Sequence, residues 1–204
     1  MNEFYCARRA GIAQRVTRLA SRFCRNEKGA TAIEFAIVLA PFLAFTFGII
    51  TIGLHYLATN SLEKGVFDAS RQIRTGQAQE SNMTAEQFQK LVCDLAQPNI
   101  DCSKLVIHLG SYSSWKDVVT PDCVDGSTGN MTTGGVGTTP IKDASMAGEA
   151  NMKVLVTACY DWTVAKYLPF LLHDNDGNAR YTQRLADGGL LLQTSVVFQT
   201  EPYK

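Results

Sequence analysis

The sequence predicts an α+β chain: a long N-terminal transmembrane helix packed on a small antiparallel sheet of three or four strands, with a second helix beside it. Three observations carry this expectation. From Phe35 to Ala58 run 24 residues without formal charge, with only Thr46, Thr51 and His55 interrupting their apolar character. Further along, apolar residues recur at helical spacing behind recognisable start and stop signals. Later still, three stretches alternate apolar and polar residues with the period of a strand.

At about 1.5 Å of rise per residue the uncharged run spans roughly 36 Å, enough for a hydrocarbon core of about 30 Å. In lipid the backbone must satisfy its own hydrogen bonds, so this part has to be helical. Pro41 cannot donate to the carbonyl of Ile37 and should loosen the helix there. Gly48 and Gly53 offer small surface to a neighbouring helix, at a spacing of five. Beyond the run, Leu62, Val66, Ala69 and Ile73 keep helical spacing, so the helix continues as an amphipathic stalk to about Arg74 and is capped at Gly76.

A leader, residues 1–29, precedes the run. It holds seven basic residues and two acidic ones, leaving 12 basic and 17 acidic residues for the remainder of a chain whose net charge is zero. A basic flank marks the cytoplasmic side, which puts residues 59–204 outside the inner membrane, in a periplasm. Within the leader, Ile12, Val16, Leu19 and Phe23 at helical spacing among arginines read as a short amphipathic helix lying on an anionic leaflet, with membrane lipid as its partner. The apolar run is too long for the core of a cleavable secretory signal. An acidic exported domain is a poor ligand for nucleic acid.

In the exported part, Thr84 and Gln87 form a capping-box pattern ahead of an apolar face made by Phe88, Leu91, Val92 and Leu95, and Pro98 closes that second helix. A strand follows at Leu105, Ile107 and Leu109, interrupted at Gly110. Residues 121–150, rich in Gly, Ser and Thr, read as a long loop and a contact surface for other subunits. It lacks the Gly-Lys-Ser/Thr ending of a phosphate-cradling loop. Met152 to Trp162 is the strongest strand, with Val154, Val156, Ala158, Tyr160 and Trp162 on one face and Cys159 on the other. A helical turn or two around Pro169, a turn at 173–178 and a last strand from Leu190 to Thr200 complete the chain. Asp174 and Asp176 are spaced like the start of a calcium loop, but the rest of that motif is missing, so a turn is expected and no metal or cofactor.

Cys6 and Cys24 fall in the leader, where a reducing cytoplasm keeps thiols free. Cys93, Cys102, Cys123 and Cys159 all lie beyond the span, an even number suited to an oxidising compartment. Three pairings of these four are possible, besides buried free thiols. Cys93–Cys102 with Cys123–Cys159 is favoured, because the first pair would tie a helix end to the next strand. The three histidines are scattered, and no nucleophile or carboxylate pair sits in a recognisable site motif, so no enzymatic role is expected.

The junction Lys28-Gly29-Ala30-Thr31-Ala32-Ile33-Glu34-Phe35 resembles the processing site of type IV pilin-like proteins. Three later phrases are similar to TadE-like minor pseudopilins of the Tad (tight adherence, or Flp) pilus system: Arg74-Thr75-Gly76-Gln77, Cys159-Tyr160-Asp161-Trp162 and Glu201-Pro202-Tyr203. The resemblance implies cleavage by a prepilin peptidase between Gly29 and Ala30, with Glu34 as fifth residue of the new N-terminus and Phe35 completing a Glu-Phe pair. It also implies partnership with other pilins and pseudopilins and with the inner-membrane assembly platform, in support of pilus biogenesis and adhesion, and a place in the pilus at the cell surface after processing. Compared with a filament-forming Flp pilin, the chain is much longer and carries a globular domain, which points to a minor subunit. Left uncleaved, the same sequence would be a single-pass anchor presenting a periplasmic ligand-binding or adaptor domain.

Overall fold

The structure is a computed structural model describing residues 30–134, 141, 150–167 and 185–202. Gly29, the rest of the leader, and the turn with Asp174 and Asp176 lie outside the described residues. The chain divides into two compact units with the boundary after Ile50, inside the first helix.

Helix α1, Ala30–Arg74, contains Pro41 and stays helical on both sides of it. From Thr51 onward, the stalk residues Leu62, Val66, Ala69 and Ile73 are all buried, as their three- and four-residue spacing requires of one helix face. The helix ends as the sequence predicts. Gly76 takes a left-handed conformation at φ 82°, and its N–H donates to the carbonyl of Ile73 at 3.1 Å. Just past it comes a one-turn helix α2, Gln77–Glu80, which the sequence reading does not anticipate. Its Gln79 side chain donates to the same Ile73 carbonyl at 3.2 Å, a second bond to an acceptor at the end of α1.

Helix α3, Ala85–Ala96, opens with the expected capping box. The Thr84 N–H donates to Gln87 Oε1 at 2.9 Å, and the Gln87 N–H donates to Thr84 Oγ1 at 3.2 Å. Phe88 and Val92 are fully buried, but Leu95 is exposed and Ala96 takes its place against the core. The reason is the crossing with α1. At Gly65 a Cβ would come within 2.8 Å of the Val92 carbonyl oxygen and 2.9 Å of Ala96 Cβ, so the two helices meet backbone to backbone and only small residues fit. Near the same crossing, Asn99 Nδ2 donates to Ser61 Oγ at 2.8 Å.

Three antiparallel strands form one sheet in the order β1 (Leu105–Tyr112), β2 (Lys153–Trp162), β3 (Leu190–Gln199). Register pairs Leu105 with Tyr160 and Ile107 with Ala158, and Val156 with Val196 and Tyr160 with Leu192. These residues share one face and join the stalk of α1 and the buried side of α3 in a single core. Gly110 does not interrupt β1, which runs on to Tyr112. Instead the Tyr112 ring folds back over it, close enough that a Cβ at 110 would lie 3.1 Å from the ring carbon Cε2. The region around Pro169 is described only to Tyr167, as a 3-10 turn over Thr163–Tyr167.

The central strand β2 is buried on both faces from Val154 to Trp162. Its second face is covered by the described start of the long loop: Cys123, Val124 and Met131 pack on Cys159, Leu191 and Val106. That segment is ordered by its own hydrogen bonds. Val124 bridges to Met131, and the Asp125 carboxylate accepts from the Ser127 N–H at 2.7 Å. Gly129, at φ 68°, closes the turn where side chains are disfavoured. The four cysteines beyond the span approach in two pairs at disulfide distance, with Cα–Cα 5.5 Å for Cys93 and Cys102 and 5.7 Å for Cys123 and Cys159.

Two predictions follow from this packing. Gly65→Ala should destabilise the domain by about 1–3 kcal/mol through overpacking against a backbone carbonyl. Gly53→Ala, where an added Cβ meets nothing within 4 Å, should be neutral or stabilising by up to about 1 kcal/mol. Urea unfolding in detergent reads the opposite signs. Non-reducing peptide mapping should recover Cys93 with Cys102 and Cys123 with Cys159. Opening the bridge with 36-residue separation should cost about 4 kcal/mol, against about 3 kcal/mol for the one with 9.

Candidate assembly surface

Along α1 the environment of apolar side chains changes. From Ile33 to Ile50 they stand open to solvent: Phe35 is 64 % exposed, Ile37 67 % and Phe45 74 %. Successive residues turn about 100° around a helix, so Phe35 and Ile37 face opposite ways, and the exposure runs all round. An apolar surface of that extent is found where lipid or another protein covers it. Among the described residues, α1 is the one helix long and apolar enough to cross a membrane. Thr46 is accommodated within it by donating its hydroxyl to the Phe42 carbonyl at 2.8 Å. Glu34 is exposed near the start of this surface, next to Phe35.

The second unit brings together phrases that are far apart in the chain. At the end of α1, the Arg74 carbonyl accepts from the Glu201 N–H at 3.0 Å. The Arg74 guanidinium lies 3.5 Å from the Glu201 carboxylate, with both side chains exposed, so the hydrogen bond fixes the contact and the ion pair adds little. The phrase Cys159–Trp162 is structural. Cys159 faces Cys123, the Tyr160 hydroxyl accepts from the Asp101 N–H at 3.2 Å, and the Trp162 ring meets His55 edge-on with centroids 5.3 Å apart.

Asp161, in the same phrase, is unusual. It is buried, and its Oδ1 has no hydrogen-bond partner among the described residues. Burial pushes its carboxyl above the ordinary carboxylate range, and the nearby charge of Asp187 adds to the effect. Asp187 shifts the other way: it accepts from Lys166 Nζ at 2.5 Å and from the Gly189 N–H at 3.0 Å, which hold it ionised. A Cβ at Gly189 would collide with the Asp161 carboxylate. Among the described residues no three His, Cys, Asp or Glu side chains are grouped to hold a metal.

A groove about 510 Å³ in volume lies beside this domain core, walled by α1 at Phe67, Arg71 and Arg74, by β3 at Val197 and Phe198, and by Glu201 just beyond the strand. Sequence reasoning missed it, since no local pattern signals two elements that meet only through a sheet register.

Residues 29–71 match the family model described as TadE-like protein. The match covers the glycine junction, the exposed apolar helix and most of the buried stalk, and over these residues the chain is similar to TadE-like proteins. No curated protein matches significantly, and no solved structure does.

The buried Asp161 generates a pH prediction. Its folded-state pKa is raised, so the stability it contributes is complete below the unfolded carboxyl pKa of about 4 and is lost as pH rises through the folded value. Asp161→Asn should therefore raise the melting temperature relative to wild type at pH 7, and the gap should close as the pH approaches 4. Thermal unfolding across that range tests the sign.

Proposed function

We propose that this chain, TadE-like over residues 29–71, is a minor pseudopilin of a Tad pilus. Prepilin peptidase cuts it between Gly29 and Ala30 on the cytoplasmic face of the inner membrane, leaving the acidic domain in the periplasm. It then joins other pilins and pseudopilins at the assembly platform through α1, supporting pilus biogenesis and adhesion. The observation that carries this reading is one helix whose later turns bury a face in the core of the domain, while its first turns find no cover among the described residues.

The chemistry of assembly follows from charge in a poor solvent. Cutting after Gly29 creates an ammonium on Ala30. An ionised carboxylate inside hydrocarbon is costly unless paired. Glu34 of an incoming subunit meets the Ala30 ammonium of a neighbour, which relieves both costs and fixes the axial register that apolar contacts leave free. Phe35 and the residues after it then supply area without direction.

N-terminal sequencing of the mature protein should read Ala30 first in cells with prepilin peptidase and Met1 in cells without it. An intact Met1 end in both would leave a single-pass anchored domain. Glu34→Gln should still be cut but should lower incorporation into pili by at least about tenfold, as expected for an unpaired ammonium. Equal incorporation would remove the pairing step.

A further inference from the structure

Among the described residues, the edge of β3 is long and unpaired. Sheet edges are ordinarily blunted by charge, proline or a bulge. Leu190–Gln199 contains neither a charged residue nor a proline, and it keeps unbroken register with β2 from Lys153 to Trp162. At its end the Thr200 N–H donates to the Met152 carbonyl at 3.0 Å. Antiparallel pairing alternates, so the N–H groups of Ser195, Val197 and Gln199 point away from β2. Among the described residues no backbone group bonds to them. The other edge of the sheet differs. Beside β1 the chain returns so closely at Gly134 that a Cβ there would lie 2.5 Å from the Ile107 carbonyl oxygen.

The open edge is also the floor of the groove. Its walls continue past Phe67 to Asn60, Glu63 and Lys64, opposite Thr194 and Ser195. Phe67 is 64 % exposed and Val197 41 %. Arg74 faces Glu201, and among the described residues no carboxylate lies within ion-pair distance of Arg71. Among the described residues, a chain laid along β3 would thus find free backbone donors and acceptors, the Phe67 ring on the side of α1, Val197 on the opposite face of the sheet, and a guanidinium at one end.

We propose that this groove receives an extended segment of a different subunit, added to β3 as a fourth strand, with a carboxylate of the incoming strand against Arg71. The proposal rests on the pseudopilin reading for the presence of other subunits. The geometry argues against a second copy paired edge to edge. Residues 60–67 of α1 lie beside 194–196 and residues 67–75 beside 196–201, so helix and strand run in the same direction. A two-fold axis pairing two β3 edges antiparallel would turn one α1 over, and the two copies could not enter one membrane from the same side. Main-chain bonds would supply affinity in this mode, and the Phe67 and Arg71 positions would set which strand is accepted.

The test is photocrosslinking in pilus-forming cells, with the full-length chain carrying a photoreactive amino acid at Ser195. The expected adduct maps by mass spectrometry to an extended segment of another subunit that bears Asp or Glu. It should fall at least about tenfold in Arg71→Glu, as for loss of a paired charge, and in Val197→Pro, which removes one outward N–H and no bond to β2. Arg71 is exposed, so that variant should unfold at the wild-type temperature. An adduct to a second copy, an adduct within the chain to residues 168–184, or no adduct in cells holding normal amounts of the protein would each overturn the proposal. The mature N-terminus read from the same sample separates the two ideas: an uncut chain that still forms the adduct loses the pilin reading and keeps the groove.

Discussion

The contact on which the folded domain depends is the backbone-to-backbone crossing of α1 and α3 at Gly65. With 2.8 Å between a would-be Cβ and the Val92 carbonyl, α3 lies as near to α1 as peptide groups allow. That proximity lets Phe88 and Val92 join the same core as Leu62, Val66 and Ile73. A larger residue at 65 would open a layer that the three-stranded sheet is too small to refill. It also explains why Ala96 is buried in place of Leu95: on the line of closest approach the core selects size ahead of hydrophobicity.

The sheet sets a second constraint. A three-stranded sheet with helices on one face leaves its other face wet, which suits an alternating strand. β2 does not alternate in burial, and its outer residues Leu155, Cys159 and Asp161 need a cover. The loop segment from Cys123 to Met131 provides it at one end, and the Ala186 N–H to Gly129 carbonyl contact at 2.8 Å binds that cover to the turn before β3. Asp161 is the residue this arrangement serves least well. It keeps a charge-bearing group buried for reasons that the described contacts do not supply.

Elements governed by neighbours close in sequence could be read from the chain alone. The stalk repeat at 62, 66, 69 and 73, the Thr84–Gln87 box and the strand pattern from Val154 to Trp162 each express a periodicity or a cap, and each element appears where that local rule puts it, although β2 is buried on both faces and not on one. Gly110 was misleading because its role depends on Tyr112 two residues later, a side-chain packing that no strand propensity encodes. The cover over β2 has no periodicity to detect. The Arg74–Glu201 contact joins residues 127 apart in the chain; the resemblance singled out both phrases, but only the fold shows that they touch. For the exposed helix the reverse holds. Its length and lack of charge were plain, whereas its use is a matter of what surrounds it.

Apolar burial and directional pairing solve different parts of an assembly problem. The residues from Ile33 to Ile50 offer a large area, but area is nearly indifferent to sliding and rotation, since one apolar ridge fits a groove a turn away almost as well. A defined subunit order therefore needs groups with a fixed address. At the start of α1, Glu34 is the group proposed to set axial register. In the domain, the β3 edge is another, because a strand displaced by one residue turns every side chain to the wrong face. An assembly using only the helix would tolerate many neighbours, and one using only the strand edge would lack the area to hold together. A chain carrying both can be bound firmly by its apolar turns and sorted by its edge, which gives the proposed minor subunit a physical reason to carry a folded domain.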